Sequence, residues 1–451
     1  MPSNAPVEGS NASDSNQKPK PHVLIIGAGI SGLLLAQSLQ LHSIPFTIFD
    51  REPSPTARDK KENLGWGLTI HWSLSALRSL LPEELVRRLP ETYVDRKAVE
   101  DGRTGTFPFH DLSTGELKAS VPEVGENSRV RVERRRLREL LGVGVEVKWD
   151  KSVTQVDNRE DSVTVTFDDG TSTSGSLLVA CDGANSVIRR ALFPEEQYPR
   201  YRIPVRVMGV RLDCSKEDIE PVRTLDPFFL QGSCPATRLY VYISVLDAPG
   251  NNPDKRTDKY TVQVVVSWPI RSGVLGQSSP VPVPDTNDEK LGLLKTFAES
   301  WSEPFKSLVC NAPGDTEVKR LDLSDWAPPK GLRSTGRVTL VGDALHPMAM
   351  YRGEGANHAI FDVLEFAQQV LPHLEDTTAE LRNAIDRYED LVVARARPAV
   401  FASRQACIDA HWWERISRNS PLLSRRTPNV EFEEEDVCIW SDGVATAKSS
   451  C

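Results

Sequence analysis

Residues 22–26 form a short apolar run that enters the turn GAGISG, and the stretch LLLAQSLQLHS beyond it has helical periodicity. Residues 44–49 then read as a second strand, which ends at Asp50. A strand, a tight glycine turn, a helix and a second strand leave few topologies open. The pattern predicts a βαβ unit and therefore a parallel sheet with helices packed on its faces. Gly27, Gly29 and Gly32 hold the GxGxxG spacing. The first glycine permits the tight turn, the second lets a pyrophosphate approach the backbone, and the third lets helix and strand pack closely. Asp50 lies where a carboxylate accepts hydrogen bonds from a ribose. The unit predicts dinucleotide binding without distinguishing one dinucleotide from another.

A second glycine-rich turn lies far downstream. The apolar run 338–341 leads into GDALHPMAMYRGEGANH, residues 342–358, and then into the helical pattern AIFDVLEFAQQVL. Asp343 sits at a strand end, and a helix starts near Ala356. The free N–H groups and partial positive charge of a helix start suit an anionic ligand group. Two such turns predict a dinucleotide held at both ends. A third strand-end motif, CDGANS, contains Asp182 and is followed by Arg189 and Arg190. Its residues also suit an ordinary tight turn, and Arg189 also reads as a solvated arginine. In ERRRLRELL, residues 133–141, Leu137 and Leu140 face the core and Arg134 lies one turn back on that face; a solvated basic helix is the alternative.

The rest of the chain sets the domain plan. A length of 451 residues exceeds what one core usually serves, so two intertwined domains are expected. Between 201 and 330, IPVRVMGVRLD, RLYVYISVLD and TVQVVVSWP alternate and are rich in β-branched and aromatic residues, predicting an antiparallel sheet. The expected boundaries are a disordered arm at 1–21, a first domain at 22–200 with 331–375, the sheet domain at 201–330, helices at 376–420, and a flexible acidic tail at 421–451. Helical spacing is also read at 73–89 and a hairpin around Asp168-Asp169-Gly170. A net charge of −9 argues against a nucleic-acid surface. Seven scattered cysteines, none spaced as CxxC, predict neither a zinc site nor a disulfide framework and fit a reducing compartment. With no apolar run long enough to span a membrane and no signal-peptide core, a cytoplasmic location is expected.

Taken together, GxGxxG with Asp50, the strand-end Asp182-Gly183, and GDALHPMAMYRGEGANH resemble the class A flavin-dependent monooxygenases of the para-hydroxybenzoate hydroxylase type. LGWGLTIHW and the downstream motif look most like fungal salicylate-hydroxylase-like members from secondary metabolism. The resemblance runs from about residue 22 to 410. It implies an α/β fold: a Rossmann-like βαβ FAD-binding domain interleaved with an antiparallel-sheet substrate domain, plus C-terminal helices. It implies FAD as cofactor, NAD(P)H and O2 as co-substrates, an aromatic or polycyclic substrate, and a monomer or homodimer. The oxygen atom would be inserted through a C4a-hydroperoxyflavin, by hydroxylation or by epoxidation of an alkene; a flavin-binding redox partner without turnover is the reading from another class. By resemblance, Asp50 binds the adenosine ribose with Arg51 beside it, and Arg134 lies near the pyrophosphate or ribityl chain. Asp343 meets the ribityl-phosphate region, and the backbone of Gly355, Ala356 and Asn357 the pyrimidine edge. Asp182 serves both FAD and NAD(P)H, and Gly65 and Gly67 pass near the ring. His346 and Arg189 are the catalytic candidates, with Tyr240, Tyr242 and Tyr351 behind them. The chain departs from the family at Met350, where proline is common, and at Glu354, where glutamine is frequent.

Overall fold

The strand ends that carry the three motifs are neighbours in one sheet. In the computed structural model, which describes residues 20–55, 65–251, 258–441 and 444–446, five parallel strands pair in the order Val338–Leu340, Leu177–Ala180, Val23–Ile26, Phe46–Phe49, Val147–Lys148. Edge strand Val338–Leu340 and its inner neighbours Leu177–Ala180 and Val23–Ile26 are buried throughout, as expected for strands covered on both faces. Helix Ile30–Leu41 buries the unbroken stretch from Gly32 to Leu39 against this sheet. Helix Gly355–Gln369 packs beside it. The expected arm falls mostly on residues 1–19, outside the described residues.

A second sheet of seven strands runs in the order Val318–Leu321, Val205–Cys214, Tyr260–Pro269, Leu239–Asp247, Phe229–Cys234, Phe109–Asp111, Leu117–Ala119. Its pairings are antiparallel except that of Phe229–Cys234 with Phe109–Asp111. Strand Tyr260–Pro269 shows why both faces are covered. Val262, Val264, Val266 and Trp268 enter an apolar cluster with helices Asn287–Ala298 and Phe305–Cys310. The alternate residues Gln263, Val265 and Ser267 are just as buried but face the other way, toward the long helix Thr378–Ala410 and the motif at Met350–Arg352.

The architecture is the interleaved α/β fold expected, with four departures in detail. Residues 109–119, assigned from sequence to the first domain, form two strands of the large sheet, because their edges extend it beyond Phe229–Cys234. The helical stretch 73–89 is two short helices, Leu74–Ser79 and Glu83–Arg88, broken before Pro82, which lacks an N–H to continue the first. A single helix, opened by a Thr377–Glu380 capping box, replaces several C-terminal helices and stops at Ala410. The described part of the tail up to Cys438 is attached. Leu422 is fully buried, the Cys438 amide donates to Gln405 Oε1 at 2.7 Å, and Glu434 pairs with Arg397 at 2.9 Å. Among the described residues no helix is long and apolar enough to cross a membrane.

The long helix is fixed to the rest by a buried fork, in which Arg404 Nε and Nη2 reach Asp325 Oδ2 and Oδ1 at 3.0 and 2.5 Å. Leaving a buried guanidinium without its partner costs about 3–5 kcal/mol. Asp325→Ala is therefore expected to lower the urea-unfolding midpoint strongly. Asp322→Ala, which breaks only the exposed pair with Arg320, is expected to leave it nearly unchanged.

Candidate active site

One cavity of about 1340 Å³ joins the two sheets and brings together residues from all three motifs. At the βαβ end the glycines divide their work as their spacing predicts. Gly27 has φ +106°, and a Cβ there would lie 2.4 Å from the Cys181 carbonyl oxygen. A Cβ on Gly32 would lie 1.9 Å from the Gly27 carbonyl. Gly29 lines the cavity, and a Cβ there would meet nothing within 4 Å, so the space beside it is open to a ligand. Gly29 also caps the following helix without any side-chain bond, which leaves the helix start's N–H groups for that ligand. Asp50 accepts from the Ala28 amide at 2.7 Å and the Glu52 amide at 2.9 Å, which fixes its carboxylate against the turn at the cavity wall. Arg51, Arg134, Asp182 and Gly183 line the same end. Asp182 Oδ2 accepts from the Val187 amide, while the buried Oδ1 has no hydrogen-bond partner among the described residues.

The other end is built by the downstream motif. Strand Val338–Leu340 runs into a helical turn at Gly342–Ala344, a second at Met350–Arg352, and then, through left-handed Gly353, into helix Gly355–Gln369. Asp343, Met350, Gly355 and Ala356 line the cavity. Burial pushes the Asp343 carboxyl up, against the pull of His346, Arg134 and Arg189. Asn357 does not reach the wall. From behind, its side chain accepts from the His71 amide and Ser73 Oγ and donates to the Thr69 carbonyl at 2.8 Å, stapling the helix start to the strand Gly67–Ile70. Gly67 is at the wall, where a Cβ would meet Arg131 Nη2 at 2.7 Å. Gly65 is set back from it and accepts from Gln263 Nε2. Glu354 is fully buried, accepting from Arg352 Nε at 2.6 Å and Trp72 Nε1 at 3.3 Å. A neutral glutamine there would lack the ion pair.

Neither catalytic candidate touches the cavity, which corrects the direct role expected of both. Arg189 is buried and spends its guanidinium on backbone carbonyls: Ala184 at 2.6 Å, Ala344 at 2.9 Å and Asp343 at 3.2 Å. It ties the CDGANS turn to the Asp343 turn, and burial lowers its pKa to about 10. His346 is fully buried with Nε2 2.7 Å from Asp362 Oδ2. The same carboxylate accepts from the Gly342 amide at 2.7 Å and from Arg395 at 2.6 Å. Although burial raises it, His346 and Arg395 hold the Asp362 carboxyl well below the ordinary range. His346 and Arg189 are thus positioning residues for the turn that presents Asp343.

Several wall residues escaped sequence reading. His71 faces the cavity from the segment after Gly67, and burial, followed by Arg426, Arg129 and Arg352, pushes its imidazole down to about 3, so it is neutral at pH 7. Trp66, Phe107 and Phe229 are aromatic walls, and Arg131 is held between them by Thr69, Tyr242 and Ser244. The segment after the long helix contributes Arg418, Leu422, Arg425 and Arg426. Only the LGWGLTIHW string hinted at any of these. Gly32→Val is expected to purify without visible flavin absorbance, and Asp343→Ala to lose most of it. His346→Phe is expected to weaken flavin retention through the turn, read as a raised Kd in FAD titration of the apoprotein.

The glycine cradle, the strand-end carboxylates and the open helix starts fit FAD along the length of this cavity. A family model described as an FAD binding domain matches residues 20–267. A protein of Arthroderma benhamiae named "Probable FAD-dependent monooxygenase" is 43% identical over 431 residues, covering 92% of this chain and 97% of that protein. FAD-dependent monooxygenase dbaB of Emericella nidulans is 39% identical over 354 residues, covering 77% and 86%. The solved structure of 2,6-dihydroxypyridine-3-hydroxylase from Arthrobacter nicotinovorans shares the fold, with a TM-score of 0.67 at 18% identity over 93% of this chain and 100% of that one. Fold, motifs and relatives agree, and the chain belongs to the class A FAD-dependent monooxygenases.

Proposed function

We propose that this monooxygenase consumes NAD(P)H and O2 to hydroxylate an aromatic or polycyclic secondary metabolite. The observation that carries this reading is the continuity of the cavity: it starts at Gly29 and Asp50 and ends against the large sheet, among Trp66, Phe107, Phe229, Tyr240 and Tyr242. A planar, electron-rich ring suits those walls, since offset and edge-on aromatic contacts add to the gain from burial. FAD, when bound and reduced by NAD(P)H, supplies the oxygen-activating chemistry. The chain's own residues bind, orient and keep water out. Asp50 is assigned to the adenosine ribose, the Gly29 turn and Arg134 to the phosphates and ribityl chain, and Asp343 to the ribityl hydroxyls. The helix start at Gly355 and Ala356 is assigned to the flavin pyrimidine edge, where its partial positive charge favours the negative charge of the reduced ring. Asp182 and Gly183 are assigned to the region shared by FAD and NAD(P)H. Leu422 and Leu423 close the substrate end with apolar surface.

The test is anaerobic mixing of the FAD-loaded protein with NADH or NADPH, followed by turnover of resorcinol-type aromatics under isotopically heavy O2. Bleaching of the flavin and one heavy oxygen atom per product molecule are expected, as a ring hydroxyl. A flavin that neither nicotinamide reduces would overturn the reading, and an epoxide product would replace hydroxylation.

A further inference from the structure

The substrate end of the cavity carries a charge that the rest of the chain does not. The net charge is −9, yet Arg129, Arg418, Arg425 and Arg426 all line that end. The cavity-lining acids are elsewhere or occupied. Asp50, Asp182 and Asp343 sit at the ends of the parallel strands, and Glu354 is paired with Arg352. Arg426 donates to the carbonyls of Arg352, Ser424 and Leu422, and Arg129 to those of Gly105 and Pro122. Carbonyls orient a guanidinium without neutralising it. Among the described residues neither arginine has a carboxylate within ion-pair distance, although Asp226 and Glu123 act on Arg129 and Glu354 on Arg426 from farther off, and the side chains of Arg418 and Arg425 are exposed.

The segment holding three of these arginines is fastened to the motif at Met350–Arg352. Arg352 donates to Ser424 Oγ at 2.9 Å and to the Pro421 carbonyl, and Arg426 donates back to the Arg352 carbonyl at 3.3 Å. Buried Leu422 packs with Tyr240 and Tyr351 in the same cluster. The backbone of the segment and the Arg426 guanidinium are therefore fixed parts of the pocket. His71 lies within reach of these charges: burial is the main cause of its depressed imidazole, and Arg426, Arg129 and Arg352 lower it further. A low-dielectric cleft lined by one sign of charge concentrates the opposite sign, and a guanidinium fork matches an anionic oxygen pair.

We propose that Arg129 and the C-terminal segment carrying Arg425 and Arg426 form an anion subsite, which selects substrates bearing an anionic oxygen group away from the carbon to be oxygenated. This deepens the function proposed above and rests on it for the word substrate. The subsite itself is tested by binding alone, so its failure and a failure of turnover are read separately.

Isothermal titration calorimetry on the FAD-loaded protein at low ionic strength compares 2,4-dihydroxybenzoate with its methyl ester, and 2,4-dinitrophenolate with 2,4-dinitroanisole. At least one anion is expected to bind about tenfold or more tighter than its neutral partner, the scale of one charge-assisted contact. A preference in the first pair identifies a carboxylate, and one in the second pair alone an ionised hydroxyl. Arg426→Gln and Arg425→Gln are each expected to reduce that preference several-fold. Arg425 is exposed and makes no side-chain hydrogen bond to the described residues, so its loss does not threaten folding if Arg426→Gln proves unstable. Equal binding of both members in both pairs, no detectable binding of either anion, or a preference unchanged in Arg425→Gln would overturn the proposal.

Discussion

A single buried carboxylate organises the flavin end of the cavity. Asp362 projects from helix Gly355–Gln369 and accepts from the Gly342 amide, His346 and Arg395. An ionised carboxylate with no solvent exposure is stable only when it is surrounded by donors and positive charge, and breaking such a group is costly in proportion. The bond to Gly342 fixes where strand Val338–Leu340 ends, and so fixes where Asp343 emerges. Arg395, shared with Glu365 and with His358, anchors the same point to the long helix. The turn between strand and helix is thereby held from three sides, and a cofactor meeting it encounters donors already in place.

The large sheet does for the substrate end what Asp362 does for the cofactor end. Its strand Tyr260–Pro269 buries polar residues on the face turned away from its apolar core, and each has a job. Ser267 bonds His411 and Tyr351, and Gln263 holds the Gly65 carbonyl. These bonds connect the sheet to the end of the long helix, to the motif at Met350–Arg352 and to the segment before Gly67. The pocket between the two sheets is therefore bounded by hydrogen bonds that tie the large sheet to the elements around it rather than being a gap between independent domains. Of its aromatic walls, Phe229, Tyr240 and Tyr242 sit on the sheet, which suits the orientation of a flat substrate.

Local physics made half of this legible. The βαβ turn is a contact between residues close in sequence, so the spacing of Gly27, Gly29, Gly32 and Asp50 predicted both its shape and its open face. The strand-end position of Asp343 was likewise readable from periodicity, as was a helix start near Ala356, one residue beyond the observed start. What failed was everything decided by distant partners. His346 and Arg189 looked chemical because they flank chemical motifs, yet their side chains turn into the protein toward Asp362 and toward backbone carbonyls. Asn357 was read for its backbone, and the bonds of its side chain to Thr69 and His71 went unread. The tail at 421–451 looked peripheral because of its acidic run from Glu431 to Asp436. Its attachment depends on Arg352, seventy residues upstream in round terms, and on the burial of one leucine, neither of which leaves a periodic signature.

The central claim is that one molecule of FAD runs the length of the cavity, adenosine at Asp50 and flavin ring at Gly355 and Ala356. A crystal structure of the FAD-loaded protein tests it most directly. Ribose oxygen atoms are expected within hydrogen-bond distance of Asp50, and the pyrimidine edge of the ring against the amides at Gly355 and Ala356. Density that places the ring at the βαβ end, or the adenosine outside the Gly29 turn, would contradict it.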